Sequence, residues 1–187
     1  MEIIQTELPG VLLMKPRVFS DPRGFFFESY RQDRLAEAGI TGTFVQDNHS
    51  RSTRGTLRGL HYQLRHPQAK LCRVVSGEVL DAAVDIRRGS PTFGRSVSVV
   101  LSAENKLAIF IPEGFAHAFV VLSDTADFLY KCTDYYYPDD QYGIAWNDPE
   151  LGIDWRVSEP LLSEKDRKHL PLSKTPAQNL PTYRTSR

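Results

Sequence analysis

The feature that most constrains this chain is a succession of short apolar runs, each closed by turn residues. LCRVV, EVLDAAVDI, SVSVVL, LAIFI, AFVVL and DFLYKC are rich in Val, Ile and Phe, and Ser76-Gly77, Gly89-Ser90-Pro91 and Pro112-Glu113-Gly114 stand between them. β-Branched and aromatic side chains suit a pleated surface and Gly and Pro interrupt it, so the pattern predicts many short strands in an all-β sandwich or barrel. One helix is predicted near RQDRLAEAG, where Leu35, Ala36 and Ala38 give an apolar stripe and Gly39 a stop, and a second short one after Ser163. A length of 187 residues suits a single domain. Its barrel core is expected over about 44–148. The segment over about 160–187, rich in Pro, Lys, Ser and Thr, is expected to lie extended over the surface, with the last dozen residues extended or frayed.

Charge narrows the partners. Lys and Arg together number 23 and so do Asp and Glu, a balance that argues against nucleic acid or an anionic membrane surface, since both recruit a basic excess. No stretch approaches the roughly 20 apolar residues that span a bilayer. MEIIQTELPG lacks a basic region followed by an apolar one, so no secretory signal is expected and the cytoplasm is the default. Cys72 and Cys132 lie in apolar, strand-like contexts and are expected as buried, reduced thiols.

Chemistry has to be sought in polar residues that sit in unexpected surroundings. FVQDNHSRSTRGTLRGLHYQ, from Phe44 to Gln63, reads either as a polar hairpin or as a pocket in which Arg58 binds an anion and His61 acts as a base, a role its near-neutral titration suits. Pro112-Glu113-Gly114-Phe115-Ala116-His117 resembles the second motif of the cupins, small β-barrels that often hold a metal through histidines. Metal ligation needs three converging donors, and only His61 and His117 offer themselves. FLYKCTDYYYP carries Tyr130, Tyr135, Tyr136 and Tyr137, which serve as half-buried packing, as a platform for a flat ring, or, for a hydroxyl inside the barrel, as a general acid. In LSEKD, Ser163 and Asp166 match a helix capping box, and nothing local connects Asp166 to His61.

In order, the segments FSDPRGFFFE, FVQDNHS, LRGLHYQ, QAKL, GEV, SPTFG, LSAEN, PEGFAH, YKCTDYY, WNDP and LSEKD resemble the dTDP-4-dehydrorhamnose 3,5-epimerases, the sugar-nucleotide epimerases of bacterial rhamnose synthesis, over nearly the whole chain. The resemblance implies a cupin-like double-stranded β-helix, or jelly-roll barrel, with a few short helices. It also implies a homodimer and a dTDP-sugar substrate, with no metal and no organic cofactor, which displaces the metal reading of His117. It makes His61 the base, Asp166 the carboxylate that orients it, Tyr130 the acid on the opposite face of the sugar, and Lys70 the cation at the enolate oxygen. Arg23, Glu28, Gln46, Asp47, Asn48, Arg58, His117, Gln141 and Lys165 match positions lining the substrate site, and Tyr136 matches the aromatic that stacks on thymine. On this reading Arg23, Arg58, Lys70 and Lys165 converge on one cavity. Two positions depart from the family pattern: Gln141 replaces a glutamate, and Ala118 replaces a glycine, where it is expected to tighten the pocket wall beside His117. A 3-only or 5-only epimerase, a metal cupin with His61 and His117 as ligands, and a non-catalytic sugar-nucleotide barrel are the competing functions.

Overall fold

The computed structural model describes residues 1–183. Among them the chain forms β1 (Glu2–Gln5), β2 (Leu12–Lys15), β3 (Phe19–Asp21), β4 (Gly24–Phe26), α1 (Gln32–Glu37), β5 (Gln46–Thr53), β6 (Leu57–Gln63), β7 (Lys70–Ser76), β8 (Glu78–Asp85), β9 (Ser96–Ser102), β10 (Ala108–Ile111), β11 (Phe115–Val121), β12 (Thr125–Cys132) and β13 (Gln141–Gly143). Every apolar run singled out in the sequence falls on one of these strands. They assemble into a six-stranded sheet in the order β1-β2-β10-β7-β12-β5, a five-stranded sheet in the order β13-β6-β11-β8-β9, and a separate β3-β4 hairpin. The fold is an all-β jelly roll of the cupin type. None of its helices is long and apolar enough to cross a membrane among the described residues.

β8 and β11 are buried almost from end to end because the five-stranded sheet is covered on both faces. Side chains alternate across a strand. On the inner face Val79, Ala83, Phe115, Phe119 and Val121 meet Cys72, Val74 and Phe128 of the other sheet. On the outer face Leu60, Tyr62, Leu80, Ala82, Val84 and Val120 meet Ile144, Leu151, Trp155, Leu172 and Leu180 from the chain beyond β13. Leu172 and Leu180 each contribute about 1.5–3 kcal/mol by burial, and the Tyr62 hydroxyl donates to the Asn179 carbonyl at 2.9 Å. The C-terminal segment is therefore fastened to the barrel through Thr182, which bridges to Arg88, and does not fray there. Residues 184–187, the end of the predicted surface segment, lie outside the described residues.

On the other sheet, α1 and Ile40 cover Leu12, Met14, Leu71, Ala108 and Phe110. Leu35 alone of the predicted apolar stripe is fully buried. Gly39, at φ +84°, ends the helix in the left-handed conformation that glycine adopts without steric penalty. The second predicted helix is a single 3₁₀ turn, Asp166–Lys168.

The hairpin reading of Phe44 to Gln63 is overturned. β5 pairs with β12 in one sheet, while β6 pairs with β11 and β13 in the other. The turn between them crosses from one wall of the barrel to the opposite wall, so this polar segment supplies both sides of the interior.

Candidate active site

The barrel encloses a cavity of about 540 Å³. From the five-stranded sheet come His61 on β6 and His117 on β11, which are register partners, together with Arg58. The six-stranded sheet supplies Lys70 on β7, Tyr130 on β12 and Ser50 on β5. Arg58 and His61 are an odd number of residues apart and still both line the cavity, because β6 is irregular between them. There Gly59 adopts φ +122°, and a Cβ on it would run into the carbonyl of His117 and the side chain of Ala118.

His61 Nε2 lies 2.5 Å from Asp166 Oδ1. Asp166 reaches it because the chain at Leu161 docks beside the start of β6: Leu161 N–H donates to the Gly55 carbonyl at 2.8 Å and Leu57 N–H to the Leu161 carbonyl at 3.0 Å. The Ser163 hydroxyl then accepts the Asp166 N–H at 3.1 Å. The capping interaction and the link to His61 thus coexist, one through the backbone of Asp166 and the other through its side chain. A carboxylate on Nε2 selects the tautomer protonated there and leaves Nδ1 as the ring's proton acceptor.

Burial is the largest influence on His61 and holds it below the usual imidazole range, aided by Lys70 and His169 and opposed by Asp166. Burial works to raise the Asp166 carboxyl, but the imidazoles of His169 and His61 and the Ser163 contact outweigh it, so the group stays ionised far below the usual carboxylate range. Burial, with smaller contributions from Cys132 and Cys72, pushes the Tyr130 phenol up to about 12. Tyr130 is therefore a protonated donor at neutral pH.

A second chamber of about 270 Å³ adjoins the first, sharing His61, Lys70, Tyr130 and Gln141 with it and adding Gln46, Asn48 and Tyr136. Gln46 Oε1 accepts the Tyr136 backbone N–H at 2.9 Å. Gln141 Oε1 accepts both the Tyr136 hydroxyl at 2.8 Å and Lys165 Nζ at 2.7 Å. The amide oxygen thus makes two contacts of the kind a carboxylate makes, without its charge. Arg58 Nε donates to Ser52 Oγ at 3.1 Å. Arg58, Lys70 and Lys165 line the cavity without a carboxylate partner among the described residues, an arrangement that suits a bound anion.

Four of the expected positions lie away from the cavity within this chain. Arg23 lies on the β3-β4 hairpin, is 90% exposed and pairs with Asp21, so it does not join the other cations. Glu28 lies beyond the same hairpin, 3.9 Å from Arg31 and outside the cavity. Asp47 points outward and binds Lys131 at 2.8 Å, because strand alternation puts Gln46, Asn48 and Ser50 on the inner face of β5 and Asp47 on the outer. Ala118 is fully buried in the outer cluster against Gly59, on the side of β11 away from His117, and so does not narrow the pocket.

The sequence reading missed three residues. Ser50 Oγ is buried at the cavity wall with no hydrogen-bond partner, a position that alternation from Gln46 could have signalled. Asp81 on β8 binds His117 Nε2 at 2.8 Å. His169 Nε2 lies 3.6 Å from Asp166 Oδ1. Among the described residues, potential metal donors form two groups, His61 with Asp166 and His169, and Cys72 with Asp81 and His117, the donor atoms of each lying within 4.8 Å of one another. His61 and His117, which a cupin metal site would join on one ion, fall in different groups. Both cysteines are free and buried.

Fold and site together define the class, an isomerase built on a cupin-like barrel, with a histidine–carboxylate pair on one wall and a tyrosine hydroxyl on the other. The profile described as dTDP-4-dehydrorhamnose 3,5-epimerase matches residues 5–174, and the chain belongs to this family. A dTDP-4-dehydrorhamnose 3,5-epimerase from Pseudomonas aeruginosa is 61% identical over 170 residues, 90% of this chain and 94% of the relative. The dTDP-6-deoxy-D-glucose-3,5-epimerase of Legionella pneumophila, solved in complex with dTDP-4-keto-L-rhamnose, superimposes with a TM-score of 0.96 at 52% identity, covering 98% of this chain and 99% of that one. A 3'-monoepimerase from Streptomyces bikiniensis, solved with dTDP-quinovose, superimposes with a TM-score of 0.88 at 37% identity, covering 95% of this chain and 92% of that one.

Proposed function

We propose that the protein inverts C3 and C5 of dTDP-4-dehydro-6-deoxy-D-glucose to give dTDP-4-dehydro-L-rhamnose, using no metal or organic cofactor, as a single epimerase domain in dTDP-L-rhamnose synthesis. The observation that carries this reading is His61, held by Asp166, on one sheet with Tyr130 on the other. Inverting a carbon beside a ketone requires removal of its proton to an enolate and return of a proton from the other face, so one base and one acid must flank the ring. His61 takes the proton at Nδ1 and Asp166 stabilises the imidazolium. Tyr130 delivers a proton from the opposite wall, and Lys70 faces the developing charge on the C4 oxygen. Each placed proton transfer contributes roughly 10²- to 10⁴-fold and a fixed cation a further few kcal/mol.

Arg58 and Lys165 hold the diphosphate, His117 borders the sugar, and Tyr136, with Gln46, Asn48 and Gln141 around it, takes the thymine. Arg23 and Glu28 reach a substrate only across a homodimer. The exposed aromatics Phe19, Phe25 and Phe26 on the β3-β4 hairpin supply the apolar surface such a dimer buries. The two free thiols suit the reducing cytoplasm. The match to the 3'-monoepimerase favours one second reading, inversion of C3 alone. NMR of the product formed from dTDP-4-dehydro-6-deoxy-D-glucose separates them. Inversion at both carbons is expected, inversion at C3 alone establishes the second reading, and unchanged substrate with folded protein refutes both.

A further inference from the structure

We propose that His169 is a positioning residue for the base: its imidazole bears on the same Asp166 oxygen that holds His61 and tempers the grip of that carboxylate on the His61 N–H. The inference rests on the reading of His61 as the base. His169 Nε2 approaches Asp166 Oδ1 to 3.6 Å, and His61 Nε2 holds the same oxygen at 2.5 Å. The two rings meet edge to face, with centroids 5.9 Å apart.

The seat of His169 is built for it. Gly143 on β13 is the register partner of His61 on β6. A Cβ at Gly143 would overlap Nε2, Cδ2 and Cε1 of the His169 ring. Gly143 is not among the glycines with positive φ, so its backbone conformation does not call for glycine, whereas the imidazole beside it does. The ring occupies the space a side chain next to His61 would fill. The neighbouring residue is fastened by the Ala145 N–H, which donates to the Leu170 carbonyl at 2.9 Å.

Packing alone does not account for an imidazole here. Its Nε2 is buried and has no hydrogen-bond partner, an arrangement that an apolar side chain of similar size avoids. The carboxylate beside it, at 3.6 Å, is Asp166, and a carboxylate oxygen has room for two donors. A second donor drawn toward Oδ1 takes part of the negative charge that would otherwise bind the His61 imidazolium. His61 then remains able to give up its proton between successive abstractions. The other titratable and charged groups lining the cavity with His61 are Arg58 on β6, Lys70 on β7, His117 on β11, Tyr130 on β12 and Lys165 beside Asp166.

The test is the pH dependence of solvent deuterium wash-in to the dTDP-4-keto sugar, measured from about pH 5 to 9 on wild type, His169→Leu, His169→Gln and Gly143→Ala. His169→Leu removes the donor, so Asp166 binds the imidazolium more firmly and the acidic limb moves up by about half a unit, roughly threefold in proton affinity. Gln carries a donor to the same place and restores the wild-type limb. Gly143→Ala displaces the ring with its chemistry intact and reproduces the Leu shift, which keeps the test decisive if the Leu variant does not fold. Folded Leu or Ala variants whose limb superimposes on wild type, or a Gln variant that shifts as far as Leu, overturn the proposal and leave the base assignment standing. Absence of wash-in by the wild type overturns the base assignment, and this inference with it.

Discussion

Replacing Asp166 by Asn removes the charge behind His61 and keeps the shape. Asp166 is only 4% exposed and its oxygen lies 2.5 Å from Nε2, so little solvent intervenes. A hydrogen bond to a charged group is worth about 1.5–3 kcal/mol, and breaking a buried ion pair costs about 3–5 kcal/mol. In the proposed mechanism the pair is charged on both sides only once His61 has taken the substrate proton, so the loss falls on the transition state. At about 1.4 kcal/mol per tenfold, the lower range corresponds to a loss of roughly 10- to 150-fold in kcat and the upper to 10² or more. Because Asp166 is one of the groups that raise His61, the acidic limb of the pH profile moves to lower pH in Asp166→Asn even as the plateau falls. Deuterium wash-in to the keto sugar, followed by mass spectrometry, reads both quantities. A folded Asp166→Asn protein with a wild-type plateau and an unmoved limb would show that Asp166 does not stabilise the His61 imidazolium.

Tyr130→Phe is expected to keep exchange at the abstracted position but to block net inversion, a split seen by comparing deuterium content with product stereochemistry. With its phenol near 12, wild-type Tyr130 contributes no loss of activity below about pH 11. Arg58→Ala should raise KM for the nucleotide sugar about tenfold or more with a smaller change in kcat, since a paired contact to the diphosphate serves substrate and transition state alike; steady-state kinetics check the division. Asp140, fully buried, accepts the backbone N–H groups of Arg65 at 2.9 Å and His66 at 2.8 Å. Asp140→Ala strands both donors and should destabilise by roughly 2–5 kcal/mol, visible in urea unfolding. Burial would raise this carboxyl, but those donors and Arg65 hold it below the ordinary Asp value. Its stabilisation is accordingly complete above about pH 4 and is lost as pH falls through the lowered value, so acid unfolding should begin at higher pH in the variant.

The strands were legible because Val, Ile and Phe runs between Gly and Pro leave few alternatives. How they pair was not, since sheet partners are set by contacts far apart in sequence. The polar stretch from Phe44 to Gln63 shows this: local pattern favours a hairpin, and packing sends β5 and β6 to opposite walls. Parity along β5 was available in the sequence and would have turned Asp47 outward and brought Ser50 in. Asp166 could be joined to His61 only through the family resemblance, because the two are 105 positions apart in sequence and meet only through a docked C-terminal segment. His169 gave no signal at all. It stands in a polar segment, and its meaning depends on a glycine on a strand that the sequence did not announce.

In the proposed mechanism one base and one facing acid exchange the protons on both carbons beside the 4-keto group. Incubating the wild-type protein with dTDP-4-dehydro-6-deoxy-D-glucose in D₂O and counting deuterium by mass spectrometry tests it most directly. Label is expected at both C3 and C5, and His61→Ala is expected to abolish it. Label at neither carbon with correctly folded protein, or undiminished label in His61→Ala, would contradict this mechanism.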